Sequence, residues 1–468
     1  MKASLPTILK TAFPESPAEA IRLGCERVRE AMVLGIRRVT VPVASFNIRG
    51  EVHASVVENG KVVREYPVQK NLILNRFMED LFDRAFNRMF TYAVASIGTT
   101  STTFDSGATE ASQTGTTVTI NTGTGSFTFD DTNNHAGSCV GNVIRFDSGE
   151  ERRIVSRTSA TVVEVVANPN GNVAQGQFTV YGTNQTRMAD NAVGSEERVG
   201  PGSYLTGAGN CGRDENSSTG EISLYRTYDF AIRANGDRGA AGTPYKEIGF
   251  SDIATVGGVT INSRIVLTTP VAVEITQQLR IKYILIVTVS PIVAETVSGT
   301  PITGWVSAGK QQIQRPMLET VNTSGASEAY ITGGASPLEP SNIQSSQVIA
   351  SLSASAAAHN AFNTNGPDRS SGAVTNHHDT TLTKTTKQLY SAVSEVHRLS
   401  LDKQSSWAAA VGNGTWQSLV LGHFENVNKG CLSPAYQGFV YILDAAQTKD
   451  SVHSLDLAWR FTWSRTLS

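Results

Sequence analysis

His377-His378-Asp379 is the chain's one histidine cluster, and imidazoles beside a carboxylate are the side chains that bind zinc or iron. Adjacent histidines on a strand face opposite sides, so they share an ion only if the backbone turns or copies meet on a threefold axis. The default reading is a solvated loop. Gly304-Trp-Val-Ser-Ala-Gly309-Lys310 has the spacing of a phosphate-binding loop, but Gln311 stands where Ser or Thr would hold magnesium, and Pro316 shortens any following helix. Asp131, Asn133 and His135 alternate like calcium ligands, yet Ala136 and Asn142 occupy the positions that need Gly and a bidentate Glu. The sequence has no H-E-x-x-H, no G-x-S-x-G and no C-x-x-C, and no carboxylate pair of a glycan hydrolase stands out.

Glu247 and Arg264 are the opposite charges best placed to meet. They flank a hairpin-like region between Ile248-Gly249-Phe250 and Ile265-Val-Leu, and cross-strand ion pairs contribute about 0.2–1 kcal/mol when exposed. If one partner were left buried alone, more would be at stake.

The elements that must position such residues read as short strands joined by turns. Charged residues make up 17% of the 468, against about 25% in typical domains, and Gly, Ser, Thr and Asn fill the deficit. A net charge of −2 recruits neither nucleic acid nor an anionic membrane. Cys25, Cys139, Cys211 and Cys431 are scattered singly and read as free thiols of a protein made in a reducing compartment. No apolar run approaches the roughly 20 residues of a membrane span, and no secretion signal is recognisable, because Lys10, Glu15, Arg22 and Glu26 interrupt the N-terminus.

Along the chain, Ser16-Pro17-Ala18-Glu19 opens a capped helix, and Ile21, Cys25, Val28 and Met32 form a narrow apolar stripe suited to docking on this chain or on a neighbouring subunit. Strands follow at Val39–Phe46 and Gly50–Val57, with Asn59-Gly60 as a hairpin turn. Leu74, Phe77, Leu81, Phe82, Ala85 and Met89 repeat at helical spacing, which predicts a second helix over Asn71–Phe90. Residues 115–186, dense in Thr and Gly, read as an inserted small β-barrel. Tyr225–Arg233 then returns the chain to the first module. Residues 296–382 read as linker or extended chain, with some helix within Ser341–Asn365, and strands resume at Gln388–Leu401, Trp416–Phe424, Tyr436–Leu443 and Leu455–Trp463.

The stretch Tyr245–Pro291 recurs, degraded, at the C-terminus. Leu279, Ile281, Tyr283, Leu285, Val287 and Val289 alternate with polar residues as Leu455, Leu457, Trp459, Phe461 and Trp463 do. Upstream, Ile248-Gly249-Phe250 matches Leu421-Gly422-His423-Phe424, and the intervening segments align. A diverged tandem repeat of a β-sandwich-like unit is the expectation.

The fold class expected is therefore mainly β, with two antiparallel β-sandwich-like modules, a small inserted β-barrel and two short amphipathic helices near the N-terminus. The organisation expected is an N-terminal helical arm over 1–37, a discontinuous first module over 38–114 and 187–295, the insert over 115–186, a linker over 296–382 and a second module over 383–468.

The succession Gly60-Lys-Val-Val-Arg-Glu, Asn71-Leu72-Ile-Leu-Asn75, Ser96-Ile-Gly98-Thr-Thr100, Tyr245-Lys-Glu247-Ile-Gly249-Phe-Ser251 and Ser263-Arg264, closed by an alternating strand, resembles structural proteins of tailed-bacteriophage virions. It is similar to proteins described as tail-fibre, tail-tip or minor tail components, over about Arg38 to Pro291. The chain departs from that pattern at Arg76-Phe77, where glycine-leucine is usual, and in the helix of residues 16–34. The resemblance implies a structural motif carried by Asn71, Leu72, Asn75, Gly98, Glu247, Gly249 and Arg264, with no cofactor and no catalytic residues.

The expected role is a structural component of a phage tail, at the tip, near the baseplate or at a fibre attachment, acting through subunit packing rather than catalysis. Its partners would be other tail proteins and copies of itself, in threefold or sixfold multiplicity. It would be made in the host bacterial cytoplasm and end in the virion. The alternatives are a receptor-binding lectin-like protein that lays Trp305, Trp407 or Trp416 over host surface glycans, a capsule depolymerase with paired acids in a groove, and a capsid decoration protein.

Overall fold

The computed structural model describes residues 39–81, 89–121, 127–129, 139–166, 172–192, 195–205, 209–216, 221–232, 243–257, 260–289, 296–297, 300–301, 348–353, 377–388, 399–423 and 437–467. The architecture is mainly β, built from curled sheets that are antiparallel at almost every pairing. The first helical stripe, Ile21, Cys25, Val28 and Met32, lies outside the described residues, as do Gly304–Lys310 and the Asp131–His135 triplet.

One strand organises the molecule. Val39–Glu58 runs unbroken for 20 residues, where the sequence suggested two strands. Its Phe46–Glu58 portion pairs antiparallel with Gln277–Val289, and on the other edge its Val39–Ile48 portion pairs in parallel with the C-terminal strand Leu455–Arg465. Asn59, at φ 50°, and Gly60, at φ 80°, then turn the chain into Lys61–Glu65, as the Asn-Gly pair predicts.

The alternation from Leu279 to Val287 buries Leu279, Ile281, Tyr283, Leu285 and Val287 on one face of Gln277–Val289. That face meets a second set of strands, Tyr92–Ser96, Tyr245–Ser251, Ile261–Val271 and Gln69–Ile73, hydrogen-bonded in that order. The Phe250 and Tyr283 rings stack across the interior with centroids 3.8 Å apart, and Phe90 meets Tyr283 edge-on at 5.2 Å. Burial pushes the Tyr283 phenol up to about 12. Offset aromatic pairs of this kind add about 0.5–1.5 kcal/mol beyond the area they bury.

The helix over Asn71–Phe90 starts later than expected, and its residues 82–88, with Phe82 and Ala85, lie outside the described residues. Asn71 and Leu72 belong to the strand Gln69–Ile73, which pairs with Gly50–Val52 and with Ser263–Arg264, and the described helix is Asn75–Asp80. The backbone donors of Asn71 to Ile73 are claimed by two neighbouring strands, so the apolar periodicity starts helical geometry only after Leu74. Phe77, Met78 and Leu81 are fully buried beneath it.

The insert is an eight-stranded antiparallel sheet around a single core that includes Val118, Phe129, Ile144, Phe146, Ile154, Val163 and Phe178. It begins earlier than expected. Thr103–Asp105 and Glu110–Thr114 precede residue 115 and pair with Phe178–Tyr181 and Val173–Gly176, so the sheet spans 103–181. Gly107 and Gly115 adopt positive φ in the turns beside these strands.

The second module begins before residue 383. Val348–Ser353, in the stretch expected to hold some helix, is a strand between His377–Gln388 and Gly414–His423. His377 and His378 therefore lie on a strand rather than in a loop. Gln388 and Leu401 fall on separate strands, His377–Gln388 and Leu399–Trp407, and the return strand expected at Tyr225–Arg233 runs instead from Glu221 to Asp229.

The strand pairings repeat between the halves. In the first, Cys211–Asn216 pairs with Glu221–Asp229, which pairs with Gln277–Val289, while Tyr92–Ser96 pairs with Tyr245–Ser251, which pairs with Ile261–Val271. In the second, His377–Gln388, Leu399–Trp407 and Leu455–Arg465 pair in the same succession, as do Val348–Ser353, Gly414–His423 and Gln437–Lys449. These pairings match the segments that the sequence aligned.

Candidate functional site

The densest polar chemistry among the described residues is a buried junction where the first module, the insert and the C-terminal strand meet. The chain leaves the first module at Gly98–Thr102 and returns at Gly182–Asp190. Glu247, with no exposed surface, reaches both passages: it accepts the Thr100 backbone N–H at 3.1 Å through Oε1 and the Ala189 backbone N–H at 2.9 Å through Oε2. Arg264, equally buried, donates from Nη2 to the same Oε1. Its other contacts run to the insert's connections, from Nη1 to Gln185 Oε1 and from Nη2 to the Thr100 carbonyl, both at 2.5 Å.

The strand register explains how the pair meets. Gly249 sits opposite Arg264, so Glu247, two residues earlier on the same face, is its diagonal neighbour. Two close approaches need glycine. A Cβ on Gly249 would lie 2.9 Å from Met188 Sδ, and one on Gly98 would lie 2.4 Å from the Asp190 backbone nitrogen. The Gly98 N–H donates to Ser96 Oγ, and Ser96 Oγ donates to the Asp190 carbonyl, which seals the returning chain against the sheet.

Ser96 faces Glu247 on one side and Glu196 on the other, so two buried carboxylates line up across three strands. Arg198 Nε pairs with Glu196 Oε1 at 2.5 Å, and its Nη atoms hold Ser251, Thr260 and the Ile253 carbonyl. Burial pushes the Glu196 carboxyl above its ordinary range, against the opposing pull of Arg198. Burial lowers Arg264, with Glu247 opposing that shift.

Asn75 is the second centre of the junction. Its backbone N–H donates to the Thr183 carbonyl at 2.7 Å and its Nδ2 to the Gly141 carbonyl at 2.9 Å, both in or beside the insert. Its Oδ1 accepts Arg465 Nη2 at 2.7 Å, from the end of the C-terminal strand. Arg76, at the departure from the phage-like pattern, donates to Asp252, Asn262 and the Thr260 carbonyl, and so pins the turn that precedes Ile261.

The residues that the resemblance marked converge here. Asn71 and Leu72 lie on the strand paired with Arg264, Asn75 opens the short helix, and Gly98, Glu247 and Gly249 surround the returning chain. Arg465, Thr100, Thr183, Gln185 and Gly141 were not marked. For Arg465 a signal was present, because it falls in phase with Leu455, Leu457, Trp459, Phe461 and Trp463 on the apolar face. The others sit in polar loop sequence and act through backbone atoms, one amide or one hydroxyl, which leaves no sequence pattern.

Such an arrangement neutralises its charges internally, and its chemistry is positional. Trp407 and Trp416 are buried, and the Trp416 indole donates to the Gly412 carbonyl at 2.8 Å, so neither ring offers a face to a sugar. Among the described residues no group of three or more His, Cys, Asp or Glu side chains stands close enough to hold a metal ion, and no helix is long and apolar enough to cross a membrane. No family model, curated protein or solved structure matches the chain.

Proposed function

We propose that the chain is a structural component of a bacteriophage tail, at the tip, near the baseplate or at a fibre attachment, and that it works by packing against copies of itself and other tail proteins. The motif order of residues 38–291 supports this reading. So does the use of the strongest buried charges as internal ties between folding units rather than as groups presented to a ligand.

The observation that carries it is the end of the large sheet. Gln437–Lys449 extends for 13 residues, with Gly-Phe-Val-Tyr-Ile-Leu in its first half. It pairs with Gly414–His423 along one edge and, among the described residues, hydrogen-bonds to no strand along the other, with only the short Thr296–Val297 segment lying near it. A long edge with so few charges templates further pairing unless it is covered, and a neighbouring subunit covers it in an assembly. In this reading the protein is made in the host bacterial cytoplasm and resides in the virion as a symmetric homo-oligomer of threefold or sixfold multiplicity.

Gold-labelled antibodies against the purified chain, applied to intact phage particles, test the proposal. Labelling at the tail supports it, and labelling of capsids alone, or of no particle, overturns it. Release of sugar from host capsule by the purified protein would transfer the assignment to a depolymerase.

A further inference from the structure

We infer that the helix Asn75–Asp80 couples the inserted sheet to the C-terminal module, so that displacement of one loosens the other. The proposal concerns a conformational link inside the chain and does not depend on where the protein resides.

Three bodies converge on these six residues. From the insert come the Gly141 and Thr183 carbonyls, both bonded to Asn75. From the C-terminal strand come Arg465, which holds Asn75 Oδ1 and the Ile73 carbonyl, and Trp463, whose indole donates to the Met78 carbonyl at 2.8 Å. Beneath them one apolar cluster joins Val143 and Tyr181 of the insert, Leu72, Leu74, Val94, Met188 and Ile261 of the first module, and Leu467 of the C-terminal end. Glu79 lies within the electrostatic reach of Arg153 of the insert and of Arg465, and burial raises its carboxyl above the ordinary range against their pull.

The Asn75 amide makes the link all-or-none. A guanidinium only donates and a carbonyl only accepts, so Oδ1 must face Arg465 and Nδ2 must face Gly141. Both atoms belong to one rigid plane. Movement of Gly141 that rotates this plane withdraws the oxygen from Arg465, and departure of Arg465 frees the plane to leave Gly141. Unpaired groups in this interior carry a desolvation cost, so the two contacts form and break together.

Hydrogen exchange and fluorine NMR on the full chain test the coupling from each side. Arg465→Met removes the donors to Asn75 Oδ1 and to the Ile73 carbonyl, both outside the insert. It is expected to speed exchange in a peptide spanning residues 140–146 of the insert on the order of 5- to 150-fold, the range typical of coupled sites. Thr183→Val removes the Thr183 Oγ1 donor from the Gly141 carbonyl, and it is expected to shift the resonance of 5-fluorotryptophan at Trp463, assigned with Trp463→Phe. A peptide over residues 116–121, in the far part of the insert, should keep its protection in both variants. Changes confined to the mutated side overturn the inference. Loss of protection at 116–121 also overturns it, because it shows common unfolding rather than a local link. If Arg465→Met does not accumulate, Arg465→Lys retains the charge, removes the planar fork and is scored by the same two outcomes.

Discussion

Glu247 and Arg264 meet in an interior where neither side chain has exposed surface, so the ion pair cannot be weighed as a surface contact. Removing one partner from a buried pair leaves an uncompensated charge and costs about 3–5 kcal/mol. Arg264→Met is therefore expected to destabilise the protein by that amount in urea denaturation. The double variant Glu247→Gln/Arg264→Met should be less destabilised than the two single costs added together. Simple additivity would mean that the two groups act independently. Glu196 gives a pH test of the opposite sign from most carboxylates. Its folded-state value is raised by burial, so the folded chain holds the proton more tightly than the unfolded one. The stability it contributes is fully present below its ordinary value of 4.5 and is lost as pH rises through the raised value. Relative to Glu196→Gln, the wild-type chain should gain stability as pH falls from neutrality toward that value, and a flat difference would refute the assignment.

At the scale of elements, the structure separates glycines that turn the chain from glycines that admit a neighbour. Gly60 has a positive φ and open space around its α-carbon, whereas Gly98 has Asp190 backbone against it. Overpacking of a close approach costs typically 1–3 kcal/mol. Gly98→Ala is expected to lower the thermal midpoint and to increase proteolysis at residues 187–192, because the returning chain must move away. Cleavage unchanged from wild type would show that the sheet absorbs the methyl group. The same elements show what sequence patterns carry. Alternation of Leu279 to Val287 specified a buried strand face because period-two burial is a local property. The helix start was placed too early because the helical period of Leu74, Phe77 and Leu81 was extended back over Asn71 to Ile73, whose fate was decided by strands distant in sequence, Gly50–Val52 and Ser263–Arg264. Backbone acceptors such as the Gly141, Thr183 and Thr100 carbonyls belong to every residue type, so no reading of side chains could have located them.

At the scale of the molecule, two sets of matching strand pairings flank one long strand in opposite senses. Gln277–Val289 runs antiparallel to it and Leu455–Arg465 parallel. The two modules are thus inverted relative to each other along Val39–Glu58, and the repeat seen in sequence does not extend to how each half meets that strand. The Ile261–Val271 strand also continues its sheet through Gln69–Ile73 to the long strand, whereas its counterpart Gln437–Lys449 ends the sheet order. That difference places the long apolar edge in the second half, and it fixes where assembly should be felt. Gly438 to Ile442 pair with Gly422 to Ser418 on one side only, so in an antiparallel edge alternate amides lack a strand partner among the described residues. In dilute protein these alternate amides should exchange rapidly while the others stay protected. In the proposed homo-oligomer the whole set should become protected, with a mass by native mass spectrometry that is a multiple of three chains. Identical exchange in both states would remove this edge from the interface, because a strand added there must take up those amides as donors.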